Sequence, residues 1–178
     1  MADRFVLDPQ RSRVRLRTYA KGLFAALAHD LELEASPTGE VVHADGVARA
    51  TIDVRADAIH VRGVVRRGHV HTDVLSASDV REIERKLRDE LFAPSPALTI
   101  TVTGTREAPV AIIAMAPPRG GSTRADVIIG VQAGDDLLEV RVRGALSMRA
   151  LGLPIVHGPL HAFVVKDEVA IDALLFFT

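Results

Sequence analysis

Seven histidines and no cysteine set the terms for any chemistry in this 178-residue chain. Disulfides, thiolate nucleophiles and thiolate metal sites are excluded. His69 and His71 are the sharpest pair, because residues two apart on an extended strand project from one face, as two metal ligands would. Asp73, one further step along that face, could supply a third ligand. Against this stands the setting, with Arg66 and Arg67 next door and no metalloenzyme signature, which favours a solvated strand. His29 and Asp30 end an apolar run, where a buried imidazole and carboxylate must find partners or serve as acid and base. Neighbours point apart on a strand, however, and no Ser stands in a nucleophile elbow, so the pair reads first as a structural contact. His157 and His161 are four apart, but Gly158 and Pro159 exclude the helical turn that would bring them together. The sequence calls for no cofactor.

Guanidinium groups are more organised. Arg11, Arg13, Arg15, Arg17 and Lys21 form one basic face, and Arg62, Arg66 and Arg67 a second basic stretch. Either is the solvated exterior of a β-structure, or it stands at a mouth and meets a phosphate-bearing headgroup or an anionic membrane surface. Arg62, Arg66, Arg67, His29 and Asp30 are the candidates for such a mouth. With 22 basic against 23 acidic residues, nothing favours nucleic acid as a partner, and 4% aromatic content gives no stacking platform.

The elements that must position these groups are mostly strands. Val14, Leu16 and Thr18 alternate with arginines. Leu31, Leu33 and Ala35 alternate with glutamates, and Leu98, Ile100 and Val102 with threonines. The later runs Asp126–Val131 and Leu137–Met148 read as a hairpin, and His161–Lys166 and Val169–Phe177 as a closing hairpin. The run Leu23–Ala28 is too short to assign by period. One segment is helical, about 77–92: Val80, Ile83, Leu87 and Leu91 recur three and four apart, with Glu82 and Glu84 each four before a base. Ser78 or Asp79 would cap it, with Glu82 at capping-box distance, and Pro94 and Pro96 would stop it.

This order predicts a single mainly-β domain spanning 1–178, a closed antiparallel barrel of about eight strands with one inserted helix. Small inward residues such as Ala35, Ala50 and Gly144 suit an apolar cavity as well as they suit a filled core. Leu98, Ile100, Leu146, Met148, Phe163, Phe176 and Phe177 are the candidate wall. The amino terminus has no apolar signal core, and no segment approaches the roughly 18 apolar residues of a membrane span, so the expected location is cytoplasmic.

The joint order of several stretches resembles the YceI-like family of bacterial lipocalin-like proteins. They are FVLDPQRSRVRL (Phe5–Leu16), KGLFAALAHDLEL (Lys21–Leu33), ATIDVRADAIHV (Ala50–Val61), the helix followed by proline and ALTITVTGT (Ala97–Thr105), RVRGALSMRALGLPIV (Arg141–Val156) and VKDEVAIDALLFF (Val165–Phe177). The chain departs from the family pattern at Phe5, where Trp or Tyr is usual, and at Val74–Pro96, where Ser95 replaces an aromatic residue before proline. It resembles a divergent branch. The resemblance implies non-enzymatic binding or transport of a long apolar or amphiphilic ligand, an isoprenoid or other lipid. It leaves room for transient membrane contact and for a homodimer. Two other classes remain open: a hydrolase using His29 and Asp30 or a metal on His69, His71 and Asp73, and a stress or interaction protein with a filled core.

Overall fold

A computed structural model describes residues 3–21, 29–44, 47–93, 95–104, 109–117, 120–125, 128–134, 137–157 and 164–178. The chain begins with β1 (Asp3–Val6), β2 (Arg13–Thr18), β3 (Ala20–Lys21), β4 (Asp30–Ala35), β5 (Thr38–Ala44) and β6 (Val47–Arg55). A 3₁₀ turn at Ala56–Ala58 leads into β7 (Ile59–Arg66) and β8 (His69–His71). Helix α1 (Ala77–Lys86) runs on into a π-turn at Leu87–Leu91. Then follow β9 (Ala97–Gly104), β10 (Pro109–Met115), β11 (Ser122–Ala125), β12 (Ile128–Gly134), β13 (Leu137–Ser147), β14 (Val164–Val165) and β15 (Glu168–Phe177). The expected segments Leu23–Ala28 and 161–163, with Pro94, lie outside the described residues.

Alternation in sequence becomes alternation in burial. Along β15, Val169, Ile171, Ala173, Leu175 and Phe177 are buried and Glu168 and Asp172 exposed, the outcome of burying one face of a pleated strand. All ladders are antiparallel, and they make two large sheets. One has the order β1-β5-β6-β9-β10-β11, the other β12-β13-β15-β2-β4-β7-β8, and β14-β3 form a short ribbon. The inner faces share one core that includes Ile52, Ile100 and Ile113 from the first sheet and Val14, Val142 and Leu175 from the second.

The mainly-β expectation holds, but among the described residues no sheet closes into the expected barrel. Period-two burial specifies which side chains go inward and is the same for a closed cylinder and for two facing sheets. The sheets end at β1 and β11 and at β12 and β8, and among the described residues no ladder joins these edge strands. One corner is stitched: β1 pairs with β5, then Leu7 bridges Phe177 while Val6 and Thr178 exchange backbone bonds of 2.8 and 2.9 Å. The expected closing hairpin is not formed by the described residues. Val164 and Val165 pair instead with Lys21 and Ala20, and β15 lies between β13 and β2.

Two local signals were misplaced or missed. Helix α1 is capped by Ser76, two or three residues before the expected Ser78 or Asp79. Ser76, in extended backbone, accepts from the Asp79 N–H (3.2 Å), and the Asp79 carboxylate accepts from the Ser76 N–H (2.9 Å), a complete capping box. The basic stretch before it is a hairpin of β7 and β8, turned by Arg67 and Gly68 at φ 50° and 82°, the left-handed pair of a two-residue turn that favours glycine. Among the described residues no helix is long and apolar enough to cross a membrane.

Candidate functional site: an apolar cavity between the sheets

The inward residues of β2, β13 and β15 face those of β6 and β9 without filling the space between them. A cavity of about 70 Å³ remains. Its floor is Val14, Leu16, Leu33, Leu146, Val169 and Ile171, and its facing wall is Val54, Leu98 and Ile100. No polar atom of the described wall faces it, although Thr18 contributes to the lining. Apolar cavities of this kind stay dry, and an engineered one of ~150 Å³ accepts benzene. The space here therefore suits the end of a hydrocarbon and is too small for a long chain.

Two covers lie over it. One is the π-turn, with Leu87, Leu91 and Phe92 as lining residues and a Phe92 N–H bonded to the Leu87 carbonyl at 2.9 Å. The other is the turn after β13, with Met148, Leu151 and Leu153. That turn is pinned by Asp167, whose carboxylate accepts from the Ser147 hydroxyl and the Arg149 N–H, both at 2.7 Å. These bonds hold the Asp167 carboxyl below the ordinary carboxylate range, the Ser147 hydroxyl contributing most. Gly121 lets the turn approach: a Cβ there would sit 2.5 Å from the Leu151 carbonyl oxygen.

Of the seven wall candidates, Leu98, Ile100, Leu146 and Met148 line the cavity. Phe177 is fully buried in the core beside the Leu7 bridge and Phe176 lies under the Arg11 guanidinium, 4.5 Å from its ring centre; neither is a lining residue. Phe163 is outside the described residues. The lining residues that sequence reasoning passed over include inward strand residues such as Val14, Leu33, Val54 and Ile171, readable only as core; Leu87 and Leu91, readable only as a helix stripe, with Phe92 beside them; and Leu151 and Leu153, hidden in a Gly/Pro loop.

The charged candidates are dispersed. Arg62 on β7 is 3.3 Å from Glu34 and 3.6 Å from Glu32, and Arg17 is 2.7 Å from Glu32. Glu32 is buried, and two guanidinium groups offset the desolvation of its carboxylate. With Arg15 on Glu34 at 3.1 Å these groups form a cross-strand charge ladder. Arg66 and Arg67 are exposed at the β7-β8 hairpin. Asp30 accepts from the Ala20 N–H at 2.9 Å, while its neighbour His29 is exposed. His69, His71 and Asp73 are all exposed, and among the described residues no three His, Asp or Glu side chains gather as a metal would need.

This arrangement defines a mainly-β protein with an apolar cavity between its two large sheets. No family model matches the sequence, and no curated protein matches it. Among solved structures the fold is similar to that of BcnA from Burkholderia cenocepacia, with a TM-score of 0.66 over 97% of this chain and 99% of that one. Sequence identity is 11%, so the likeness is one of fold.

Proposed function

We propose that the protein binds an apolar or amphiphilic small molecule without transforming it, holding the hydrocarbon end in the cavity and leaving any polar head outside. The observation that carries this reading is the wall: seventeen residues from both sheets and both covers converge on one space, and no polar atom of theirs faces it. Such a wall offers no hydrogen bond to orient a reacting group, whereas apolar burial contributes about 0.8 kcal/mol per methylene. An isoprenoid or acyl tail fits that chemistry, and carriage of such a molecule, with brief contact at a membrane surface, is the corresponding role. The sequence resemblance to YceI-like, lipocalin-like proteins supports the same reading.

The test is titration with N-phenyl-1-naphthylamine, which fluoresces in apolar surroundings. Wild-type protein gives saturable binding at one site. Val169→Phe, which fills the cavity from its floor, weakens binding at least tenfold with an unchanged far-ultraviolet spectrum. Equal binding by both proteins would place the probe elsewhere and overturn the reading.

A further inference from the structure

The cavity as it stands admits only a hydrocarbon stub, so a molecule with a long tail needs one cover to move. We infer that α1 and its π-turn form the lid of the cavity and that Glu84 is the latch holding it shut; this rests on the apolar-binding reading above.

Three observations converge. First, the lid is stable within itself and shallowly attached. Its capping box and the Arg85 pairs with Glu82 (3.0 Å) and Glu90 (3.3 Å) are internal, and no residue of Ala77–Leu91 is buried; Phe92, at the end of the cover, is the first that is. A segment with little buried apolar surface opens at a small fraction of the global unfolding cost. Second, the apolar residues it does insert are those over the cavity. Leu87 and Leu91 sit on a π-turn, a rare geometry that recurs at functional sites. Third, the latch is a side chain whose spacing suits a different job. Glu84 stands four before Arg88, as a solvent-face pair would, yet it turns to the sheet and accepts the Val61 N–H at 3.0 Å, with His60 Nδ1 at 3.5 Å. Strand β8 covers β7 only from Val64 to Arg66, so the Val61 N–H belongs to an open strand edge and Glu84 caps it. Breaking one charge-assisted bond releases the helix from that edge without disturbing any ladder.

The chain's lack of cysteine makes the test clean. Asp57, on the 3₁₀ turn, and Arg88, on the π-turn, interact electrostatically, and both are exposed. The double variant Asp57→Cys/Arg88→Cys, joined by a short bismaleimide, fastens the lid to the body, and the same variant capped with N-ethylmaleimide is the control. Stopped-flow uptake of N-phenyl-1-naphthylamine and hydrogen exchange of the ligand-free protein are read together. In the control, residues 80–91 exchange as one group well ahead of β2 and β15, and uptake matches wild type. Cross-linking slows both at least tenfold. Glu84→Ala speeds both by about tenfold, the scale of one hydrogen bond to a charged group. Uptake unchanged by the cross-link would overturn the lid while leaving apolar binding intact. Exchange in α1 as slow as in the core strands would overturn it as well. Absence of uptake in the wild type and in Glu84→Ala alike would instead remove the binding reading, and the gate with it.

Discussion

Leu151 and Leu91 both line the cavity, yet they are held in opposite ways. Leu151 has no exposed surface, and its turn is fixed by the bonds of Asp167, by a Leu153 N–H to the Met148 carbonyl (2.9 Å) and by close approach to Gly121. Leu91 is half-buried on a helix none of whose residues is buried, and it meets the body through an apolar stripe and the Glu84 bond. The two covers thus differ in packing: the irregular turn is the densely held one and the regular helix the lightly held one.

The largest expected effect follows from that contrast. Leu151→Ala leaves a void among packed neighbours and costs about 3 kcal/mol, whereas Leu91→Ala removes half-buried surface and costs about 1 kcal/mol. Urea unfolding midpoints check this, and equal losses would erase the distinction between the covers. Next in size is Ser76→Ala, which removes the capping box at a cost of about 1 kcal/mol; hydrogen exchange should rise across α1 and stay unchanged at residues 147–153.

The smallest effect is pH dependence. Asp167, through Ser147 and then Arg149, and Asp79, through the Ser76 side chain and then its backbone, are both held below the ordinary carboxylate range. A carboxyl lowered in the folded state contributes stability that is full above its unfolded value, about 3.9, and disappears as pH falls through its folded value. Thermal midpoints should therefore drop as pH is taken from 5 to 2. Asp167→Asn should start lower at pH 5 and fall less steeply. An identical slope in that variant would remove Asp167 as the acid-sensitive pin.

Much of this was legible in the sequence, for physical reasons that also mark where legibility stops. Alternation along Val14–Thr18 and Val169–Phe177 marks the buried faces, because inward phase is a local property, and Leu98 and Ile100 on β9, with Leu146 and Met148 at the end of β13, line the cavity. Closure was not legible, since facing sheets and a cylinder demand the same phase. Phe176 and Phe177 are not lining residues: they stand at the end of β15, where Leu7 bridges Phe177, a contact between distant parts of the chain. Glu84 illustrates the same limit. Its spacing to Arg88 reads as a helix pair, and only the open edge of β7 explains why it turns inward.

The most direct test of the central claim is native mass spectrometry of the protein purified from its own host without detergent, with mass analysis of its organic extract. The expected result is a stoichiometric apolar or amphiphilic molecule bearing a hydrocarbon tail, released by solvent and displaced by N-phenyl-1-naphthylamine. Protein that is empty, and that takes up no added isoprenoid alcohol or fatty acid, would contradict it.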